Sequence, residues 1–251
     1  MPVILVDSMQ VYREIPVITN QNRKRPAELT GIVSVSEGWT VARHKERVDE
    51  VISSLPLDVP FVLDAGTGMY LNALIFDIPL APKVPPEVRA EARRLAIGSK
   101  NPRREARRWE LELVGAPERG SIWTGDLRYD ASFIYLRPDS DSLSRNIHLR
   151  SSRIVQHGAE EAEMLKRHVP EPNRSVREAI GVKEMLLWAC GSLCRDEARQ
   201  IISTRTKKLA RRQIRWFDKL ARTLPDTVSF LAAEKTTDTR IIHIMHDIIG
   251  L

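Results

Sequence analysis

The residues that could do chemistry begin almost at the start of the sequence, in the run VILVDSMQVYR, Val3–Arg13. Four apolar residues, typical of a strand buried on both faces of a parallel sheet, lead directly into Asp7. Ligand chemistry in open α/β sheets collects at the carboxyl ends of strands, where this carboxylate would lie. Asp7 could accept a proton from a nucleophile or hold a metal-bound water, and it could equally cap the following turn.

The run DAGTGMYLNAL, Asp64–Leu74, predicts a turn from a strand into a helix. Glycines on both sides of Thr67 let the backbone come close to a ligand, and the start of a helix offers free N–H groups to phosphate. The Thr67 side chain adds a hydroxyl. An ordinary tight turn has the same pattern, because Gly-Thr-Gly is common.

A third run, STRTKKLARRQIRWF, Ser203–Phe217, predicts a helix with basic residues on most of its surface. A solvated basic face is the simpler interpretation. Basic residues interleaved with Trp216 and Phe217 also suit a nucleic-acid backbone and stacked bases. The basic residues concerned are Arg205, Lys208, Arg211, Arg212 and Arg215.

The elements that would position these residues follow an α/β order. An apolar strand at Pro2–Val6, a helix over 40–55 and a second strand at Phe61–Leu63 are predicted in turn. A proline-rich stretch after residue 78 marks a boundary, and the basic segment Glu87–Glu112 is helical by composition. Phe133–Leu136 is a third strand, and helices dominate from Ser140, with a loop near Pro170–Pro172. We therefore expect a core of residues 1–78 and 132–251 with an insertion at 79–131.

Composition limits the classes of partner. Lys and Arg total 39 and Asp and Glu total 33 in 251 residues, and the net charge of +6 favours an anionic partner such as nucleic acid or a phosphorylated ligand. Cys190 and Cys194 are interpreted as a reduced pair in a helical stretch. No signal peptide and no apolar run of about 18 residues is visible, so we expect a cytoplasmic protein without a membrane partner.

The order of the motifs is more specific than any one of them. DSMQVYR, GTGMYLNAL, AIGVKE and TRTKKLARRQIRWF resemble, in sequence order, the DSxQVYR, GGTGLYxxAL, QAIGYKE-like and TRxYAKRQxTWF motifs of the bacterial tRNA dimethylallyltransferases. The stretch LRPDSDSLSRNIHLRSSRIVQHGAEEAEML is similar to that family's segment with paired basic residues before a Gly turn. The resemblance implies a P-loop-NTPase-like parallel sheet flanked by helices, with a short helical insertion and a helical C-terminal part.

The resemblance also implies an activity. Enzymes of this family transfer a dimethylallyl group from its diphosphate to the N6 amine of the adenosine beside the tRNA anticodon. Asp7 would be the general base, and Thr67 would face the bridging oxygen of the leaving diphosphate. The residues that would contact the base are Ser8, Met9 and Gln10, and those that would bind the diphosphate are Gly66, Thr67, Gly68, Arg153 and Arg205.

The expected macromolecular partner is the tRNA anticodon stem-loop. Its backbone would meet basic residues of the insertion and of the C-terminal helix: Arg104, Arg107, Arg211, Arg212 and Arg215. The resemblance implies Mg²⁺ as a cofactor, although no residue is assigned as its ligand. We expect a monomer with dimethylallyl diphosphate as the small substrate.

The sequence departs from the family at several points. The family begins with a strand and a G-x-x-x-x-G-K-[ST] phosphate loop, and neither is present before Asp7. That loop would supply phosphate donors, a lysine and the hydroxyl that holds Mg²⁺. Ala65 replaces the first Gly of Gly-Gly-Thr, and NPRREARRWEL is similar to HPND-x-x-R-x-x-RALE with Pro102 near its acidic position. We therefore expect a chain that begins at Met1 to be inactive and to be marginally stable, aggregation-prone or completed by a partner.

Three other functions stay open at this point. The first is an RNA-binding remnant of the family without catalysis, which would not bind dimethylallyl diphosphate. The second is an enzyme that prenylates free adenine nucleotides, although a small nucleotide does not need long basic C-terminal helices. The third is a nucleotide kinase of similar α/β fold, against which the absent phosphate loop also counts.

Overall fold

The computed structural model describes residues 1–77, 80, 82–116, 122–123 and 125–224, together with the backbone of 230–233. The chain forms two compact units. Met1–Leu74 and Tyr129–Leu251 make the first, and Ile75–Arg128 makes the second. The second unit begins and ends a few residues before the insertion predicted at 79–131.

The centre of the first unit is a pair of parallel strands. β1, Val3–Val6, is completely buried and pairs with β2, Val62–Ala65, so that Leu5 lies opposite Asp64. Parallel strands need a crossover, which contains α2, Val41–Ser54, after the short α1, Pro16–Thr19. Both strands and α2 agree with the sequence prediction. However, β2 ends later than predicted, so Asp64 belongs to the sheet and not to the turn.

The edge of β1 away from β2 is also paired. A segment of the crossover returns beside this strand, where Leu5 N donates to Glu28 O at 3.0 Å and Glu28 N donates to Val3 O at 2.8 Å. The backbone of β1 bonds to β2 on its other edge. There, Pro2 O accepts from the backbone of β2, and Val6 O accepts from the turn that follows β2. The crossover therefore covers part of a strand edge that would otherwise present unpaired backbone groups.

The rest of the first unit is mainly helical. α3, Gly68–Ile75, follows β2, and Trp216 of the long C-terminal helix packs over its first residue. β3, Phe133–Leu136, was predicted and pairs in parallel with β4, which was not. The remaining elements are α6, Ser140–His157; α7, Ala159–Arg167; α8, Arg174–Arg177; α9, Val182–Ala189; α10, Arg195–Thr223; and β4, Phe230–Ala233.

Helix caps explain why the C-terminal helices begin and end where they do. Asp139 accepts hydrogen bonds from the backbone at the first turn of α6, as a capping carboxylate does. The prediction for the two cysteines is wrong in one respect, because they do not lie inside a helix. Cys190 follows the last residue of α9 as its C-cap and Cys194 precedes α10 as its N-cap, since Gly191 between them adopts φ +74° and breaks the helix. Both thiols are exposed and free.

The second unit contains a pair of helices. α4, Pro86–Leu95, and α5, Pro102–Leu113, pack on each other, and each buries a small residue, Ala92 and Ala106 respectively. The helical prediction for Glu87–Glu112 is therefore correct in type, but Gly98, at φ +82°, divides it into two helices. None of the helices in the described parts of either unit is long and apolar enough to cross a membrane.

Candidate active site

Asp7 uses its two carboxylate oxygens differently. Oδ1 accepts hydrogen bonds from Met9 N at 2.7 Å and from Gln10 N at 3.0 Å, so Asp7 does cap the turn after β1. Oδ2 lies 3.4 Å from the Thr67 hydroxyl, which donates to it. Capping and chemistry are therefore compatible, because the cap fixes the carboxylate through Oδ1 and directs Oδ2 towards the turn that follows β2.

Thr67 joins the two strand ends. Its hydroxyl oxygen accepts a hydrogen bond from Ser8 N at 3.2 Å, and its backbone N donates to Val6 O at 3.1 Å. Gly66 N donates to the same carbonyl at 3.2 Å. These two backbone N–H groups, which the sequence suggested for phosphate binding, are thus already engaged. The resulting link holds the Asp7 turn and the Thr67 turn together.

The glycines beside Thr67 have a packing role that the sequence did not predict. A Cβ at Gly66 would lie 2.8 Å from Asp7 Oδ2, and a Cβ at Gly68 would lie 2.2 Å from Trp216 Cδ1. Real side chains do not tolerate such distances. Glycine at these positions therefore lets the Asp7 carboxylate and the Trp216 indole approach the turn.

The long helix α10 is attached to the same turn. Gln213 Nε2 donates to Gly66 O at 2.6 Å, and Trp216 Nε1 donates to Oδ1 of the fully buried Asn72 at 3.1 Å. The motifs GTGMYLNAL and TRTKKLARRQIRWF, far apart in sequence, therefore meet at the carboxyl ends of β1 and β2.

Arg150 of α6 faces this meeting point, and the sequence analysis did not select it. Burial lowers the pKa of its guanidinium, while the nearby Asp7 carboxylate acts in the opposite direction. Its Nε is buried and has no hydrogen-bond partner among the described residues. Arg150 lines a cleft of about 490 Å³ with Asn20, Gln213 and Arg153, whose side chain is exposed. The spacing of the two arginines, three apart on one helix, was the available signal.

Arg205, predicted to bind diphosphate, is engaged by protein groups. Its guanidinium pairs with Glu184, which is 2% exposed, and Nη2 donates to Glu178 O at 2.7 Å. The other oxygen of Glu184 accepts from Gly181 N at 2.8 Å, where φ is +92° at the start of α9. The AIGVKE motif is therefore a link between α9 and α10.

A strongly basic cleft of about 830 Å³ lies along α10. The predicted tRNA-binding residues Arg211, Arg212 and Arg215 are exposed on it, and none of the described residues that line it is acidic. A surface of this kind suits a phosphate backbone. Its lining residues are Ile180, Arg205, Lys208, Arg211, Arg212, Ile214 and Arg215.

The two arginines predicted to bind tRNA in the insertion lie on α5. Arg104 is exposed at its first turn, where its backbone N donates to the Asn101 side chain at 3.3 Å. Arg107 pairs with Glu110 of the same helix. Within the second unit, both residues belong to a face that also carries the pairs between Arg108 and two glutamates.

The chain is similar to proteins of one known family over most of its length. A family model described as IPP transferase matches residues 10–110 and 94–220. A tRNA dimethylallyltransferase of Rubrobacter xylanophilus is 54% identical, and the alignment covers 99% of this chain and 87% of that protein. A tRNA dimethylallyltransferase of Rickettsia felis is 28% identical over 86% of this chain and 81% of that protein.

Two solved structures are similar to the present one. The full-length tRNA isopentenylpyrophosphate transferase of Bacillus halodurans gives a TM-score of 0.68 at 25% identity, with 99% of this chain and 87% of that chain covered. A tRNA delta(2)-isopentenylpyrophosphate transferase of Staphylococcus epidermidis gives a TM-score of 0.68 at 19% identity, covering 98% and 89% of the two chains. The second likeness bears on the fold alone.

Proposed function

The chain belongs to the IPP transferase family, and we propose that it transfers a dimethylallyl group from dimethylallyl diphosphate to the N6 amine of the adenosine beside a tRNA anticodon. The names of its relatives support the reaction type. The observation that carries the proposal is the contact between Asp7 and Thr67 at the carboxyl ends of β1 and β2, with the Arg150 charge close enough to act on the Asp7 carboxylate. These residues supply an acceptor for a proton, a hydroxyl donor and a positive charge.

Asp7 would act as the general base. The N6 nitrogen forms a bond to C1 of the dimethylallyl group, the bond from C1 to the diphosphate oxygen breaks, and an amine proton passes to the carboxylate. Oδ2 is the oxygen for this proton, since Oδ1 holds two backbone N–H groups. Those two donors also keep the carboxylate in a single orientation, which general-base catalysis requires.

The leaving diphosphate needs donors and positive charge as its bond to carbon breaks. Arg150, whose charge acts on Asp7, and Arg153 would supply charge from the cleft that both line, and Thr67 would supply a hydroxyl. These side chains would bind part of the diphosphate through charge-assisted hydrogen bonds. Arg205 would contribute mainly through the basic cleft, because Glu184 holds its guanidinium.

The Mg²⁺ expected for the family finds no protein-only site in the described parts of the chain. No group of three or more His, Cys, Asp or Glu side chains there could hold a metal ion. Mg²⁺ often binds through one or two carboxylates together with substrate phosphates.

The tRNA would bind along α10. Its backbone suits the basic cleft lined by Arg211, Arg212 and Arg215, and the target base must leave its stack to reach Asp7. Gln213 of the same helix is hydrogen-bonded to the Thr67 turn. Contacts between the tRNA backbone and α10 would therefore orient the target base towards Asp7. A free adenine nucleotide would not use most of this cleft.

A non-catalytic RNA-binding protein of the family is the second candidate. It is favoured by one observation: Gly66 N and Thr67 N both donate to Val6 O, which leaves fewer backbone donors for a diphosphate. The two candidates differ in whether dimethylallyl diphosphate binds and reacts.

The test incubates the purified chain with dimethylallyl diphosphate and an anticodon stem-loop, and follows the RNA by mass spectrometry. The enzyme is expected to add one dimethylallyl group in place of a hydrogen. Stem-loop binding without this addition, together with no heat of binding for dimethylallyl diphosphate, would establish the second candidate. Modification of free AMP at a comparable rate would contradict the tRNA substrate.

A further inference from the structure

We propose that Arg23 and Asp64 are positioning residues that orient the side-chain amide of Gln10 for the target base. The proposal deepens the proposed function and rests on it. Its basis is a three-residue cluster beside the Asp7 turn. Arg23 Nη1 pairs with the Asp64 carboxylate, and Arg23 Nη2 donates to Gln10 Oε1 at 3.1 Å.

The chemistry of the cluster determines which way the amide faces. A guanidinium has only donors, so Arg23 can bind the oxygen of the Gln10 amide but not its NH2 group. The NH2 group must then point away from Arg23 and keep two N–H donors for a ligand. Without Arg23, the amide could rotate and present oxygen or nitrogen, because the two orientations have nearly the same shape.

The cluster is held at the same sheet edge as Asp7. Asp64 lies opposite Leu5, two residues before Asp7, at the carboxyl end of β2. Arg23 comes from the crossover segment that pairs with β1 through Glu28. Its side chain is only 22% exposed, and its buried Nε makes no hydrogen bond among the described residues. The ion pair with Asp64 therefore fixes a largely desolvated guanidinium next to Gln10.

The geometry suits an adenine whose amine is at Asp7. Gln10 N donates to Asp7 Oδ1, so the Gln10 side chain begins directly beside the proposed base. In adenine the amine is flanked by two ring nitrogens, N1 and N7, and both accept hydrogen bonds. While Asp7 accepts a proton from the amine, the Gln10 NH2 group would donate to one of these nitrogens. A base with an N–H at that position would face a donor with a donor and be rejected.

The test compares three stem-loops that carry adenosine, 1-deazaadenosine or 7-deazaadenosine at the target position. In the wild-type chain, one analogue is expected to lower kcat/KM by about tenfold or more, because a hydrogen-bonding group of the site is left unpaired. Arg23→Met should lower kcat/KM for adenosine and abolish most of the discrimination against that analogue. Lys24→Met, which removes a neighbouring exposed charge, should keep the discrimination.

A second variant guards against misfolding of Arg23→Met. Gln10→Glu retains an acceptor for Arg23 but has no NH2 group, so it should lose the discrimination while thermal unfolding stays close to that of the wild type. Retained discrimination in Arg23→Met and Gln10→Glu would overturn the positioning role and leave the proposed function intact. Equal rates on all three stem-loops in the wild type would overturn it as well. Absence of any transfer by the wild type would overturn both proposals.

Discussion

Two regions of the first unit, around the carboxylates of Glu184 and Asp7, differ in how many of their polar groups have hydrogen-bond partners. Around Glu184, both carboxylate oxygens and the Arg205 guanidinium have protein partners, and the cluster joins α9 to α10. Around Asp7, one oxygen accepts backbone hydrogen bonds, whereas the other, among the described residues, has a long hydrogen bond from Thr67 and the nearby charge of Arg150. Satisfied groups hold the fold together, and groups left partly unsatisfied are the ones available to a substrate.

The largest effect that separates the regions is expected for Asp7→Asn. The amide oxygen can still cap the turn, but it cannot take the proton, so kcat should fall by about 10²–10⁴-fold. Affinity for the stem-loop, measured by fluorescence anisotropy, should change little. Asp139→Asn is the matched control, since that residue caps α6 away from the site and should keep normal turnover. A parallel loss of affinity and turnover in Asp7→Asn would contradict the general-base role.

Glu184→Ala should have the opposite profile. It leaves the buried side of Arg205 and Gly181 N without their acceptor, and should lower the free energy of unfolding by about 3 kcal/mol. Urea denaturation measures this change. Below the denaturation midpoint, turnover per folded molecule should remain within tenfold of the wild type. A fall in turnover as large as that of Asp7→Asn, with normal stability, would make Glu184 part of the catalytic region.

A buried histidine of α2 predicts that the stability of the first unit depends on pH. Burial lowers the pKa of His44 to about 4, because the ring is fully enclosed with Trp39 Nε1 donating to its Nδ1. In the unfolded chain the ring binds a proton below about 6.5, whereas in the folded chain it does not. The contribution of neutral His44 to the free energy of unfolding is therefore complete above pH 6.5. It is lost as the pH falls towards 4, which lowers the free energy of unfolding by about 3 kcal/mol.

This dependence can be measured by urea denaturation between pH 7 and pH 4. His44→Gln should reduce the slope over that interval, even if its stability at pH 7 is lower. His148→Gln changes an exposed histidine of α6 and should leave the slope as in the wild type. Equal slopes for His44→Gln and the wild type would mean that other groups account for acid sensitivity.

The smallest effect is expected on the basic cleft. Arg211→Ala removes one exposed charge, so stem-loop affinity should fall a few-fold and the salt dependence of log K should become shallower by about one unit. Arg222→Ala removes the same charge from α10 outside the cleft and should leave the salt dependence unchanged. If the two variants behave alike, the RNA does not follow this cleft.

Much of the framework could be predicted from local pattern. The apolar run before Asp7, the glycine turn after β2 and the amphipathic segment 40–55 each depend on neighbours in sequence, and β1, β2 and α2 are present in the structure. The ordered motifs also identified the family correctly, as the family match and the Rubrobacter relative confirm. The roles of individual site residues and the inactivity expected of a chain beginning at Met1 stay predictions.

The parts that could not be predicted depend on partners distant in sequence. Gly68 is close to Trp216 only because α10 folds across the Thr67 turn, so its packing role has no local signal. Arg150 and Arg153 share one helix, and only the packing of α6 determines that Arg150 is half-buried near Asp7 while Arg153 is exposed. Likewise, nothing around Arg23 indicates that it reaches Asp64 on the next strand.

The pairing of Glu28 with β1 has a consequence for association between molecules. A strand whose outer edge is open can add a strand from another chain, and apolar side chains favour such addition. Here the outward N–H of Leu5 and C=O of Val3 are both occupied by a single residue of the same chain. Glu28 thus prevents another chain from adding a strand at this edge of β1. The opposite edge is paired with β2, which leads into the Thr67 turn.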